Sequence, residues 1–335
     1  MERLSGYNNA MATVIEVKTT PIRKVNVRKD LMGVADLIEL CFATTLDADG
    51  RDYLRHLRGT ARDLSHLPWV QGAAERLASP LYGFVWEEDG RIIGNLSLIP
   101  LNRRGRLVYL IANVAVHPDY RRRGIARQLT QTALDHLKAR GIENAWLQVR
   151  DDNPGAYHLY RSLGFVERAR RTTWQIDRLA PLDRPIPQGI QIQRRGLQDW
   201  DLQAAWLNEI YPPEIAWNLP ISFSRLSPDI LGFFLRWMRG EALEHWSARE
   251  QDAPVGFASW EPMRASSDII WLATTPQYED RAVLALLIHA RAVLAGRGRP
   301  LSVNYPAGRA ELAFQRAGFS NRQTLVWMVA SLNRG

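Results

Sequence analysis

Four arginines, Arg121, Arg122, Arg123 and Arg127, crowd one glycine, Gly124, in the run RRRGIAR. The residues before it, LVYLIANVAV at 107–116, are apolar and β-prone. Those after it place Ile125, Leu129, Ala133, Leu134 and Leu137 at helical spacing. A strand that turns through a glycine into a helix leaves unpaired main-chain N–H groups at the positive end of the helix dipole, which makes a site for an anion. Gly124 lets the main chain approach a diphosphate closely, Ala126 keeps the first turn free of bulk, and the guanidinium groups add charge-assisted bonds to phosphate oxygens. The turn holds neither the Gly-Lys-Ser/Thr of a P-loop nor a G-x-G-x-x-G. Taken alone, such a spacing also fits a solvated basic loop, so its context decides.

That context is a regular alternation of elements. Structure is expected to begin near Ile22, after a polar, unpatterned extension (1–21) in which Met11 is a second candidate start. A short strand, IRKVNV, leads to helical patterns at about 30–42 and 49–59. Tyr82 to Glu88 and Arg91 to Leu98 flank Asp89-Gly90 and predict a hairpin. The strand Leu107 to Val116 then feeds the arginine turn and its helix, with Gly141 as the stop. A buried strand, AWLQV, a short helix from Pro154 to Leu163 and a strand near Phe165 to Ile176 complete the unit. LAPLDRPIPQG at 179–189 carries three prolines and reads as a linker.

The remainder repeats the pattern. The strand IQIQRR is followed by helical stretches near 197–210 and 228–239, the strands EHWSAR, VGFASW and IIWLATTP, a helix at about 280–296, the strand LSVNY, a helix at 308–317 and a closing strand, TLVWMVASL. AYHLYRSLGF at 156–165 matches AELAFQRAGF at 310–319, which points to two copies of one fold. The expected domains are therefore 22–178 and 190–335.

With 335 residues and an apolar fraction of 46%, the chain can build two cores. No apolar run approaches the roughly 20 residues of a membrane span, so no membrane association is expected. Cys41, the single cysteine, has no partner for an internal disulfide; the expected location is the cytoplasm, and the expected state a monomer or homodimer. The net charge of +8 attracts polyanions. Its densest stretches lack the aromatic interleaving of a single-strand binder, so nucleic acid is not an expected partner.

The run NVAVHPDYRRRGIARQL, 113–129, resembles the acyl-CoA signature of the GNAT superfamily of N-acyltransferases, in which Arg or Gln is followed after two residues by Gly and, one further on, by Gly or Ala. Here these are Arg121, Gly124 and Ala126. NPGAYHLYRSLGF, 153–165, is similar to that superfamily's next motif, at the usual separation. The resemblance implies an α/β (α+β) fold of two tandem GNAT-like domains, each a mixed, mostly antiparallel sheet flanked by helices. It implies acetyl-CoA as acyl donor and no metal. It further implies that Val114, Ala115 and Val116 hold the pantetheine arm through their backbone like an added strand, and that the amides of Arg122, Arg123, Gly124, Ile125, Ala126 and Arg127 hold the pyrophosphate. Asn153 would bond the pantetheine amides and Tyr160 would stand beside the thioester sulfur. From the residues alone, Asn153 also fits a helix cap before Pro154, and Tyr160 also fits packing.

Acyl transfer to an amine needs a neutral nitrogen, stabilisation of charge on the carbonyl oxygen, and a proton for the thiolate. A thiol near its ordinary pKa of about 8.5 is a tolerable leaving group, so positioning can supply most of the acceleration. Tyr160 suits the proton donor. Many relatives carry a glutamate on the strand entering the coenzyme loop, but this chain has Ala112 and Asn113 there. Glu87 and Glu88 are candidate bases, and both also fit a solvated hairpin end. His117 and His158 fit structural roles, and no cluster has metal-ligand spacing.

In the second half, TPQYEDRAVL at 275–284 puts Glu279 and Asp280 where the first two arginines should be and Ala282 in place of the glycine, while Phe314 replaces Tyr160. Carboxylates there would repel a diphosphate. Eight of the twelve tryptophans lie in this half, Trp200, Trp206, Trp217, Trp237, Trp246, Trp260, Trp271 and Trp327. They suit a core, with one or two free for an acceptor pocket or a domain interface. The reading is an N-acetyltransferase acting on a small-molecule or peptide amine, with a degenerate second copy as scaffold or acceptor-site wall. The alternative is a non-catalytic acyl-CoA sensor or partner-binding protein.

Overall fold

The computed structural model describes residues 21–64, 82–103, 105–220, 223–228, 243–263 and 265–333. But for Pro21 and Pro228, the expected N-terminal extension and the helical stretch near 228–239 lie outside the described residues. So does Trp237.

The first half runs β1 (Ile22–Lys24), α1 (Val27–Phe42), α2 (Ala48–Leu64), β2 (Gly83–Glu88), β3 (Arg91–Arg103), β4 (Arg106–Val116), α3 (Ile125–Ala139), β5 (Asn144–Arg150), α4 (Pro154–Ser162) and β6 (Val166–Ile176). The second half runs β7 (Ile190–Arg194), α5 (Trp200–Ile210), α6 (Pro213–Ala216), β8 (Glu244–Glu250), β9 (Ala253–Glu261), β10 (Asp268–Thr274), α7 (Glu279–Leu294), β11 (Leu301–Pro306), α8 (Glu311–Arg316) and β12 (Ser320–Ser331). Each α1 and α3 boundary has a local cause. The Asn26 side chain accepts from the Arg28 and Lys29 amides, while Asp30 accepts from the Asn26 amide at 2.7 Å, so donors at the start of α1 are satisfied reciprocally. α3 ends where the Ile142 amide returns to the Leu137 carbonyl around Gly141.

Alternation along the strands sorts the two faces of the first half. Phe84, Trp86, Ile93, Leu96, Tyr109, Ile111, Leu147 and Val149 bury against the Leu129, Ala133 and Leu137 stripe of α3. Val85 and Ile92 pack on the opposite face under Leu31, Val34 and Ile38 of α1 and Leu54 and Leu57 of α2. Gly94 allows α3 to lie this close, since a Cβ there would come within 2.9 Å of Ile125 and 3.0 Å of Leu129.

All twelve strands form one sheet in the order β1-β2-β3-β4-β5-β12-β6-β11-β10-β9-β8-β7. The closing strands are exchanged. β12, from the end of the chain, pairs antiparallel with β5 from Leu325↔Arg150 to Ser331↔Asn144. β6 pairs with β11 from Leu301↔Ile176 to Pro306↔Arg171, and with β12 on its other side. Val326, Met328, Ala330 and Leu332 thereby enter the core of the first half, and Trp174 that of the second. Residues 179–189 carry no helix or strand, and Arg291 and Arg281 of α7 donate to the carbonyls of Ala180 and Gln188 there.

Candidate active site

β4 and β5 run parallel but pair only at Tyr109↔Ala145, Leu110↔Trp146 and Ile111↔Leu147. Beyond Ile111 the two strands separate, and the edge of β4 that faces β5 has no strand partner from Ala112 to Val116. A bulge drives the separation: on the β3 side Asn95 pairs with Ala115 and Ser97 with Ala112, and Asn113 takes the left-handed conformation at φ +51°. The bulge is pinned from β3, where Asn95 Nδ2 donates to the Asn113 carbonyl at 2.9 Å.

The open edge leads straight into the arginine turn. After a 3-10 turn, Pro118–Tyr120, Arg122 and Gly124 both adopt left-handed φ, +67° and +78°. Alternating conformations of this kind point successive amides into one concavity. Gly124 is the N-cap of α3 and offers no side-chain cap, so the amides of Ile125, Ala126 and Arg127 have no partner within the helix. A Cβ at Gly124 would find its nearest neighbour, Gln128 Nε2, at 3.8 Å, so the space in front of the turn is open. A groove of about 510 Å³ lies there, lined by Val116, Arg121, Arg122, Gly124 and Ala126 on one side and Gly155, His158 and Ser162 of α4 on the other. Its size falls within the range of small-molecule sites. Arg127 reaches across to Ser162 Oγ at 2.7 Å, and Arg121 Nε donates to the Val116 carbonyl at 3.3 Å. Cys41 also donates to that carbonyl, at 3.2 Å, and burial pushes its thiol above the ordinary pKa.

The remaining expected site residues divide. Tyr160 lies on α4 under this cleft, 7% exposed and edge-on to Phe165; burial pushes its phenol above the ordinary range, so it stays protonated at neutral pH. Asn153 is the N-cap of α4, with Oδ1 accepting from the Ala156 amide at 3.1 Å. The cap occupies its carbonyl oxygen and leaves its NH₂ exposed. Glu87 and Glu88 stand elsewhere. Their register, Glu87↔Ile92 and Glu88↔Arg91, carries them past the Gly94↔Val116 rung, toward the arginine turn and away from the bulge. Glu87 is ion-paired to Arg23 and to Lys29, and these partners hold its carboxyl below the usual range. Glu88 meets Arg123 at 3.3 Å. His117 Nδ1 faces the Asp119 amide. No group of three or more His, Cys, Asp or Glu among the described residues could hold a metal, and no helix there is long and apolar enough to cross a membrane.

A polar cluster at the bulge has no counterpart in the expected set. Asn113 Nδ2 donates to Tyr53 Oη of α2 at 3.1 Å and lies 3.4 Å from Ser97 Oγ. Its one trace in the sequence is that Asn95 and Ser97 interrupt the apolar run IIGNLSLI; that α2 delivers a tyrosine to them is a tertiary fact.

In the second half the equivalent features are filled from within. α7 begins at Glu279, directly after its own 3-10 turn, so no loop equivalent to 121–124 exists. Glu279 accepts from Tyr305 Oη at 2.7 Å and from Arg309 at 2.6 Å, placing a carboxylate of the chain at the helix start. Tyr305 bridges the gap between β11 and β10, reaching Thr274 Oγ1 at 3.1 Å. Arg171, delivered by the exchanged β6, is 3% exposed and bonds the Ile210 carbonyl and Asn304; burial lowers its pKa to about 10. Phe314 stacks on Trp174 with ring centroids 4.9 Å apart.

The sequence profile described as Acetyltransferase (GNAT) family matches residues 46–165, which span the Asn113 bulge, the Gly124 turn and α4. That stretch of the chain is a GNAT-family acetyltransferase segment. Among curated GNAT relatives, the [ribosomal protein bS18]-alanine N-acetyltransferase of Salmonella typhimurium is 45% identical over 62 residues, 18% of this chain and 42% of that protein. The N-alpha-acetyltransferase RimI of Mycobacterium tuberculosis is 37% identical over 100 residues, 29% of this chain and 61% of that protein. The chain thus spans less than two thirds of the length of either relative. Two solved structures share the fold along nearly the whole chain. A GCN5-related N-acetyltransferase from Sphaerobacter thermophilus has a TM-score of 0.56 at 18% identity, covering 94% of this chain and 97% of that one. A tandem GNAT protein from the clavulanic acid biosynthesis pathway has a TM-score of 0.51 at 18% identity, covering 94% and 99%.

Proposed function

We propose that the first half is an acetyl-CoA-dependent N-acetyltransferase that acts by direct attack of an amine, and that the second half binds no coenzyme and serves as scaffold and acceptor-side wall. The observation that carries this reading is the continuity of two backbone features: the unpartnered edge of β4 from Ala112 to Val116 opens onto the amides of the Gly124 turn. A strand rises about 3.3 Å per residue, so Val116 to Ala112 covers about 13 Å, enough for an extended arm between a diphosphate at the turn and a thioester at the bulge. The fit to coenzyme A rests on the paired left-handed residues, the open space before Gly124 and the flanking arginines. Bound there, the coenzyme supplies the activated acyl group.

In this reading the amides of Arg122 to Arg127 bind the diphosphate, with Arg121, Arg122 and Arg123 adding charge. The backbone of Val114, Ala115 and Val116 aligns the arm, and the free NH₂ of Asn153 bonds one of its amides. Tyr160 protonates the sulfur as the carbon–sulfur bond breaks. We take 22–178 and 190–335 as the functional units, joined by the exchange of β6 and β12. Trp217, beyond α6, packs edge-on to Trp146 of β5 at 5.5 Å, a contact that supports the second half as a wall on the acceptor side. The relatives acetylate an α-amine by name, which supports a protein or peptide amine as acceptor. Calorimetry with acetyl-CoA tests the site: one equivalent is expected, and none would end the assignment. Thiol release over a library of amines then identifies the acceptor.

A further inference from the structure

The cluster at the β4 bulge is built entirely from neutral groups. Asn95 and Ser97 are each 1% exposed. Asn95 Nδ2 holds the Asn113 carbonyl and Asn113 Nδ2 holds Tyr53 Oη, yet Asn95 Oδ1 is buried without a hydrogen-bond partner. A buried amide oxygen left unpaired costs about 1–3 kcal/mol, which a small donor admitted at the bulge would recover. The Tyr53 oxygen accepts from Asn113, which leaves its own proton undirected. This cluster stands at the point where β4 leaves β5, on the face opposite α3, where the acyl end of a coenzyme held at Gly124 would emerge.

Resting on that coenzyme reading, we propose that Tyr53 and the Asn95–Ser97–Asn113 network receive the acceptor nitrogen, and that the site takes an amine in its neutral form and so selects α-amines of low basicity over lysine side chains. Carboxylates on the surrounding elements are committed elsewhere or, like Asp63 near the end of α2, exposed. Asp30 of α1 is held by Arg23, and Asp36 and Glu39 by Arg58. On α2, Asp49 accepts from the Ser266 amide and Asp52 pairs with Arg55, while His56 is exposed. Arg150 of β5 is bound to Asp152. β3 from Ile92 to Leu101 and β4 from Leu107 to Val116 carry no acidic or basic side chain, and the β5 residue nearest the gap is Gln148. The proton balance needs no carboxylate. The nitrogen lone pair forms the C–N bond, the C–S pair leaves with sulfur, and the proton shed by nitrogen equals the one sulfur takes up through Tyr160.

Ordinary pKa values of about 7.8 for an α-amine and 10.4 for lysine make the neutral fractions at pH 7 differ by roughly 300-fold. Greater nucleophilicity of the stronger base offsets part of that.

The test uses the full chain, acetyl-CoA and two lysine or alanine tripeptide amides, one with a free α-amine and no lysine, the other N-acetylated with one lysine. Expected are preference for the first by at least tenfold and a log(kcat/KM) that rises with unit slope up to each amine's own pKa. Tyr53→Phe should lower kcat/KM for the peptide about tenfold with the acetyl-CoA dissociation constant unchanged. An inflection fixed at the same acidic pH for both peptides, faster lysine acetylation, or acetyl-CoA binding with neither peptide acetylated each overturns the inference alone. Failure of the parent protein to bind acetyl-CoA overturns the coenzyme reading beneath it.

Discussion

The Gly124 turn and the start of α7 occupy the same place in two copies of one fold, at the end of a strand that parts from its parallel neighbour. In the first copy two left-handed residues hold the chain off the helix and leave amides facing a groove. In the second, helix begins four residues earlier, Glu279 brings its own negative charge to the dipole, and Tyr305 crosses the gap between the strands. The same physical demand, an anion at a helix start and polar partners along an open strand edge, is met by side chains in one copy and left open in the other. The difference turns on few residues: Gly124 against Ala282, Arg121 against Glu279, Tyr160 against Phe314.

The largest expected effect tests whether the copies are separable at all. A chain ending at residue 178 loses β12 and with it Val326, Met328 and Leu332 from the first core. At about 2 kcal/mol per large side chain, the loss reaches about 6 kcal/mol before the newly bare edge of β5 is counted, against a total stability of about 5–15 kcal/mol. The truncated chain should show no cooperative melt and no acetyl-CoA binding, whereas separable domains would retain both. Next in size is Gly124→Glu, which puts a carboxylate and a side chain at φ +78° into the anion turn and should weaken acetyl-CoA binding about a hundredfold in calorimetry. The reverse substitution in the other copy, Ala282→Gly, should create no second equivalent, because Glu279 and Arg309 still fill the space.

A smaller effect separates Tyr160 from Phe314. Tyr160→Phe should lower kcat about a hundredfold, within the range of a lost general acid, and leave KM for acetyl-CoA unchanged. Phe314→Tyr, inside the Trp174 stack, should leave turnover as it was and cost stability, since its hydroxyl would enter the buried core without a ready partner. Equal effects of the two on turnover would remove Tyr160 from the chemistry.

Much of this contrast was legible in the sequence because it is local. A glycine between a β-prone run and an amphipathic helix, or carboxylates in its place, states its backbone consequence within ten residues. Most expected elements lie within a few residues of those formed, and Asn153 shows the cap geometry that Pro154 foretold. The strand exchange was not legible. β6 and β12 carry the pattern of closing strands in either arrangement, and nothing along the chain distinguishes pairing with the nearer sheet from pairing with the farther one. The same holds for Tyr53, which reads as one more half-buried position on α2 until the helix is docked over Asn113. Trp217 against Trp146 is a contact between copies that composition alone could only allow.

Glu87 gives the smallest and last comparison. It belongs with Arg23 and Asp30, at the start of α1, where Asp30 also accepts from the Asn26 amide. The second copy has a matching device: Asp199 accepts from the Gly196 amide and is paired with Arg249 of β8 at 2.7 Å. Both tie the first helix of a copy to a strand through an arginine, which marks the Glu87 cluster as structural. Its carboxyl is held below the ordinary range in the folded state by Arg23 and Lys29. A lowered folded pKa contributes stability above the unfolded value of about 4.3, and the contribution fades as pH falls through the lowered one. Glu87→Gln should therefore reduce stability slightly at pH 7 in urea unfolding, and the gap to the parent should close in the acid range. Turnover should be unchanged; a loss of kcat with an acid-limb shift would instead return Glu87 to the role of base.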